Sequence, residues 1–263
     1  MYQTPNNYLQ ELVIAYCCRI PWESASKIIK QRASNASCNY VRLEKEFWPS
    51  VFLYGTGGTC YESNLAFFYL LSDLGFKGYL TINRIIDKSS VHSAIIIVID
   101  NNKYIVDVGY PLYSPITIKE NSVVITENKL ITYQCTSIDN KQYLIENFPH
   151  PKPYLYHLTD LPVTLEEYLK IANNDYGDDG LFSNRIIIRK VINDIPTRFD
   201  SEDIPYNIHT LKNGQKVKTF IEEKNLTDRL SNHFGLHNRI ISQAFKIIQK
   251  TNAQQKQQHY GTT

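Results

Sequence analysis

Gly55-Thr56-Gly57-Gly58-Thr59-Cys60-Tyr61-Glu62-Ser63-Asn64 is a glycine turn that delivers a thiol to the start of an apolar helical run. The run continues through Leu74, and Gly75 stands where a helix C-cap is expected. Thr59 with Glu62 three positions on fits a capping box, which places Cys60 at the first helical position. Unpaired backbone N–H groups and the macrodipole there favour a thiolate over a thiol. A histidine partner adds to this, and together such groups lower a cysteine pKa from ~8.5 to roughly 3.5–7.5. The backbone N–H of Cys60 is then a natural oxyanion donor. Gly55, Gly57 and Gly58 lack Cβ atoms, from which close approach of a substrate to the sulfur is expected.

Outward from this turn, the first third of the chain reads as helical. Tyr8, Leu9, Leu12, Val13 and Tyr16 recur at helical spacing, Pro21 interrupts, and Trp22-Glu23-Ser24 leads into a second helix through Ile28 and Ile29. From Gly78 to about Leu158 the pattern is β. Ile95 to Ile99, Tyr104 to Val106 and Val123 to Ile125 are β-branched runs separated by polar pairs such as Asn101-Asn102, as in a sheet or small barrel. Beyond residue 165 helices and strands mix: helices at Leu165 to Leu169, Asn225 to Phe234 and Ile240 to Gln249, and strands at Arg185 to Val191, Asn207 to Leu211 and Gln215 to Phe220. The Gln-rich stretch 252–263 reads as a frayed tail. These divisions give a helical region (1–77), a β region (78–164) and a mixed α/β region with the tail (165–263).

Two further residues complete a chemistry. His92 begins the longest β run and Asp107 ends the next, so thiol, base and carboxylate occur in the order a thiolate nucleophile with an oriented base requires. A hairpin turning at Asn101-Asn102 puts His92 and Asp107 on one face but four positions apart, roughly 13 Å at strand rise. Contact requires an earlier turn or a bulge.

Composition narrows the alternatives. The 263 residues carry a net charge of +2, with 43% hydrophobic and 21% charged content, so no electrostatic case arises for nucleic acid or membrane. The longest apolar run, Ala94 to Ile99, is far short of a membrane span, and the polar start at Met1 to Leu12 does not fit a signal peptide. The expectation is a cytoplasmic protein. Five cysteines without a Cys-x-x-Cys spacing argue against disulfides and thiolate zinc, and no metal is expected at His233 and His237, which Gly235 separates. A phosphate-loop reading of the glycines lacks its Gly-Lys-Ser/Thr ending.

These residues resemble the arylamine N-acetyltransferases. Thr56-Gly57-Gly58-Thr59-Cys60 is similar to that family's Arg-Gly-Gly-x-Cys, and Val106-Asp107-Val108-Gly109-Tyr110 to its Val-Asp-Val/Ala-Gly-Phe-Gly. Ile20-Pro21-Trp22-Glu23 is similar to its Pro-Phe-Glu-Asn, and Leu230 to Leu236 to its closing Leu-x3-Phe-Gly-Leu/Ile. The resemblance implies an α+β fold: a helical bundle, a β-barrel and an α/β lid around a papain-like Cys-His-Asp core. It implies ping-pong transfer from acetyl-CoA, as cosubstrate, to an aromatic amine or hydrazine. Cys60 would be the nucleophile, His92 the base and Asp107 its orienter. It also implies Trp22 and Tyr110 as walls of the acceptor pocket and Ser89 as a residue near CoA. Thr56 in place of the family arginine removes an ion-pairing or loop-ordering contact, Trp22 is bulkier than the family Phe, and Tyr110 and Pro111 depart from Phe-Gly. Two competitors remain: an amide synthase or transglutaminase-like acyltransferase with another donor, and an inactive binding relative.

Overall fold

A computed structural model describes residues 4–33, 40–85, 91–150, 153–177, 180–212 and 214–260. The N-terminal third holds α1 (Pro5–Arg19), the two-residue strand β1 (Trp22–Glu23), α2 (Ala25–Ala33), α3 (Glu44–Tyr54) and α4 (Cys60–Asp73). Leu9, Val13, Tyr16 and Cys17 form the buried stripe of α1 and pack with Tyr61, Leu65, Phe67 and Leu71 of α4. Helix α4 starts at Cys60 and stops before Gly75, whose φ of 89° only glycine adopts freely.

Eight strands follow: β2 (Lys77–Ile85), β3 (Val91–Ile99), β4 (Asn102–Val106), β5 (Ile116–Ile118), β6 (Val123–Glu127), β7 (Thr132–Asp139), β8 (Gln142–Phe148) and β9 (Tyr154–Thr159). They form one sheet in the order β5-β4-β3-β2-β9-β8-β7-β6. The sheet curls until β5 comes beside β6 and β7, a nearly closed barrel filled by Ile96, Ile105, Tyr133, Ile145, Tyr156 and Leu158. Strands β2 and β7 to β9 carry more Tyr, Thr, Gln and Asn than the β-branched runs, which is why their periodicity is weaker in the sequence.

The rest comprises α5 (Leu165–Asp175), β10 (Ile187–Ile192), β11 (Ile195–Asp200), β12 (Asn207–Lys212), β13 (Gln215–Phe220), α6 (Leu226–Phe234) and α7 (Asn238–Tyr260). The second sheet runs β1-β10-β11-β12-β13. Its edge is thus a strand from near the chain's start, which Pro21 and the brevity of Trp22-Glu23 concealed in the sequence. One face, with Ile188, Phe199 and Ile208, packs on α2, α6 and α7 through Ile28, Leu230, Phe234, Ile241 and Ala244.

Two local expectations are corrected. Thr59 makes no capping hydrogen bond, and the reciprocal half of the box is also absent because the Glu62 carboxylate turns away to the buried Arg42. The capping box in this chain is at Thr164 and Glu167, at the start of α5. Residues 252–260, expected to fray, continue α7 as helix.

Candidate active site

The hairpin of β3 and β4 turns one residue earlier than its polar pair suggests. Ile99 pairs with Asn102, leaving Asp100 and Asn101 as a two-residue loop with φ of 49° and 63°. Both central residues are left-handed, as the tight hairpin turn that suits strand twist requires. The shift keeps His92 and Asp107 on one face and halves their offset to two positions, a diagonal pair within side-chain reach. His92 Nε2 lies 2.6 Å from Asp107 Oδ2, with both residues buried.

Asp107 is held from every side. Its Oδ1 accepts from the backbone N–H groups of Gly109 and Tyr110, each at 2.8 Å, and from Asn64 Nδ2 at 3.0 Å. Asn64 sits one helical turn after Cys60 on the same face of α4. Its Nδ2 also donates to Ser93 O at 2.6 Å, and its Oδ1 accepts from Val108 N at 2.9 Å. Ser93 Oγ donates in turn to Cys60 O at 3.0 Å. Asn64 and Ser93 therefore tie the helix of Cys60 to the strand of His92 and the loop of Asp107.

With Nε2 engaged by Asp107, the other ring nitrogen of His92 is left for the Cys60 side chain, its second partner. Burial alone would lower the imidazole pKa. The Asp107 carboxylate, by charge and hydrogen bond, and then Cys60 outweigh this and raise it from 6.5 to about 10. The protonated imidazole is thereby the favoured form at neutral pH. A raised basic pKa stabilises the fold fully below pH 6.5, and that contribution is lost as pH rises through about 10. Tyr156 packs against the ring at 4.9 Å and Tyr110 meets it edge-on at 6.0 Å, which keeps water from the pair.

The glycines do a different job from the one expected. A Cβ on Gly57 would stand 1.6 Å from Pro21 O, and one on Gly58 2.7 Å from Glu62 Oε2. They let the nucleophile loop lie against its own protein, not against substrate. The glycine that lies against Cys60 itself is Gly109, where a Cβ would come within 2.5 Å of Cys60 Cα.

The contact that seemed lost with threonine at position 56 is supplied from elsewhere. Arg42, before α3, sends its guanidinium under the loop. It donates to Glu62 through Nε (2.9 Å) and Nη2 (2.7 Å), to Gly57 O (2.5 Å) and to Ser26 Oγ (2.8 Å). Its Nη1 reaches Thr56 Oγ1 at 3.5 Å, and that hydroxyl is 2.7 Å from Ser50 Oγ. Glu23 accepts from Gly57 N at 3.2 Å and from both the backbone and side chain of Ser26. Threonine at 56 fits because the arginine head is already there. Arg42→Met is expected to leave Glu62 buried without its charged partner, keeping only the bond from the backbone N–H of residue 42 (2.9 Å), and to destabilise the protein by about 3–5 kcal/mol. Thermal unfolding checks this, and adding Glu62→Gln is expected to restore part of the loss.

Trp22 and Tyr110, expected as pocket walls, do come together, with Arg189 of β10 between them. Phe182, at φ 63°, meets Trp22 edge-on at 5.2 Å. Ser89 lies outside the described residues. Among the described residues no group of three His, Cys, Asp or Glu side chains is placed to hold a metal, and no helix is long and apolar enough to cross a membrane.

A family model described as N-acetyltransferase matches residues 7–240. The chain belongs to the arylamine N-acetyltransferase family. It is accordingly a transferase by family. No curated protein sequence is significantly similar to it. Among solved structures, the arylamine N-acetyltransferase of Mycobacterium tuberculosis superposes with a TM-score of 0.77 at 16% identity, over 94% of this chain and 93% of that one. The Mycobacterium marinum enzyme in complex with CoA gives 0.75 at 16%, over 92% and 91%. A Bacillus cereus member, described with a Cys-His-Glu catalytic triad, gives 0.71 at 18%, over 90% and 93%. At these identities the likeness concerns the fold: bundle, barrel and α/β lid around a papain-like Cys-His-Asp core. Arg42, Asn64, Ser93, Tyr156 and Arg189 are the site residues sequence reading passed over. Only Asn64 carried a signal, its four-residue spacing from Cys60.

Proposed function

We propose that this protein transfers an acetyl group from acetyl-CoA to an arylamine, hydrazine or related amine through an acetyl-Cys60 intermediate. The observation that carries this reading is the buried Asp107–His92 pair aimed at a cysteine on the first turn of a helix. The CoA complex of the M. marinum enzyme supports the choice of donor. His92 takes the Cys60 proton and Asp107 stabilises the imidazolium that forms. The Cys60 sulfur attacks the thioester carbonyl, a C–S bond forms, and the backbone N–H of Cys60 is positioned to steady the developing oxyanion. Collapse breaks the bond to CoA sulfur, which takes the proton held by His92. The acceptor amine then attacks acetyl-Cys60, His92 removes its proton, and the thiolate leaves with that proton returned to the Cys60–His92 pair.

Incubation with acetyl-CoA alone, followed by intact mass and peptide mapping, tests this. One acetyl group on Cys60, discharged by an added arylamine or hydrazine, is the expected result. A folded, reduced protein that gains no acetyl group would overturn acetyl-CoA as the donor.

A further inference from the structure

Lys27 is a charged side chain that the acyl-transfer chemistry leaves unused, and it is wholly buried. It sits in the first turn of α2, three positions after Ser24 and four before Gln31, so the three share one face. That face holds one stretch of backbone at several points. Lys27 Nζ pairs with Asp175 Oδ2 at 2.7 Å and donates to Asp175 O at 2.8 Å and Leu181 O at 2.5 Å. It also stands over the Tyr176 ring at 4.6 Å. Gln31 Nε2 donates to Gly177 O at 3.0 Å. Ser24 Oγ donates to Arg185 O at 2.7 Å and accepts from Ile187 N at 2.9 Å.

Phe182 stands between these anchors. Its φ is 63°, a left-handed backbone that a bulky residue adopts only under constraint. The peptide in front of it supplies the constraint: Leu181 O is taken by Lys27, and Leu181 N donates to Asp175 Oδ1 at 3.4 Å. With that residue held through both its N–H and its carbonyl, rotation about the next N–Cα bond delivers the Phe182 ring edge-on to Trp22 at 5.2 Å. The Trp22 backbone in turn bridges to Gly58, two residues before Cys60. Phe182 is itself only half-buried. Strained residues of this kind persist where the surroundings over-determine them, and they gather at active sites and ligand clamps.

We propose that Lys27 is a positioning residue of the acceptor pocket. It holds Leu181, and through it the Phe182 ring, at a fixed spacing from Trp22, and that spacing selects aromatic amines over small acceptors such as hydrazine. The proposal rests on the acyl-transfer reading above. Lys27 touches no substrate and acts from behind the wall. A lysine suits the task because the three donors of one ammonium reach a carboxylate and two carbonyls together. The Asp175 carboxylate keeps the buried charge paired.

The test compares aniline with hydrazine as acceptors of the acetyl-enzyme. Hydrazine carries no ring and is the internal control. Phe182→Ala is expected to lower kcat/KM for aniline by about 10-fold through KM, the worth of an aromatic contact, and to spare hydrazine. Lys27→Met alone would leave Asp175 without its cation, so the paired variant Lys27→Met/Asp175→Asn is used beside it. The paired variant is expected to show the same split, and to cost nothing further when added to Phe182→Ala. Gain of one acetyl group on Cys60 shows that each variant has folded. Equal losses for aniline and hydrazine in the Lys27 variants, or losses that simply add to those of Phe182→Ala, overturn the proposal and leave the acyl-transfer reading intact. A second measurement needs no acetyl-enzyme: acetanilide binding followed by saturation-transfer NMR. Binding weakened alike by the paired variant and by Phe182→Ala supports the positioning role even if Cys60 never gains an acetyl group, a result that would sink only the acyl-transfer reading. Acetanilide held as well by the paired variant as by wild type overturns the proposal.

Discussion

Replacing Asp107 by Asn is expected to cut acetyl transfer by on the order of 10⁴-fold while the protein stays folded. The fold survives because three of the four contacts are indifferent to the change. An amide oxygen at the Oδ1 position still accepts from Gly109 N, Tyr110 N and Asn64 Nδ2. The amide nitrogen then falls where Oδ2 was, 2.6 Å from His92 Nε2, and can only donate. The imidazole is forced to present a lone pair to residue 107 and carry its proton on the nitrogen facing Cys60. It can no longer take the thiol proton. The same substitution removes the charge that lifts the histidine to about 10. Two measurements check this: the pH dependence of Cys60 alkylation, expected to move to higher pH, and the histidine titration, expected to fall. A near-native rate would show that Asp107 only shapes its loop.

Cys60→Ser is expected to lose the acetyl-enzyme altogether and lower turnover by about 10⁴-fold or more. The side chain is smaller by little and Cys60 is half-buried, so melting temperature should barely move. What changes is acidity: a hydroxyl is far less acidic than a thiol, so His92 cannot hold it as the anion that attacks the thioester. Intact mass after acetyl-CoA should show no adduct on the variant. Retained transfer would mean that a different thiol carries the acetyl group. Cys17 and Cys135 are poor candidates, since burial pushes both thiols up.

The sequence showed which residues meet at the candidate site better than it showed the architecture that brings them together. Cys60, His92 and Asp107 were legible because each type is rare at its local position: a thiol at a helix start, and a base and an acid flanking β-branched runs. The register was legible only to a parity, since a turn shifted by one residue preserves the face and changes the distance. Arg42 was not legible. Nothing around it in the chain marks it as a loop anchor, and its partners Ser26, Gly57 and Glu62 are assembled by tertiary packing. Strand β11 was hidden by its Pro196 and by its charged Arg198 and Asp200, which pair with each other along the strand and put charges where apolar residues would mark it. Arg189 likewise reads as an ordinary exposed strand charge until the rings of Trp22 and Tyr110 are seen beside its guanidinium, each at 5.3 Å.

The two-residue strand β1 has a consequence for how the catalyst comes into being. Trp22 and Glu23 pair with Arg189 and Ile188, while Glu23 N donates to Gly58 O and Pro21 fits under Gly57. The loop before the nucleophile is thus fastened to a strand whose own partner lies most of a chain length away. Contacts of such sequence separation form late, after the cost of closing a long loop has been met. A growing chain can build its first five helices and barrel before residue 189 has been made, but Trp22 and Glu23, on which the segment in front of Cys60 rests, then still lack their strand partner. The last fastening of the Cys60 loop is completed only after β10 has been made. Alkylation of Cys60 during refolding is therefore expected to report the docking of β10 on β1, a late joining of the two ends of the fold.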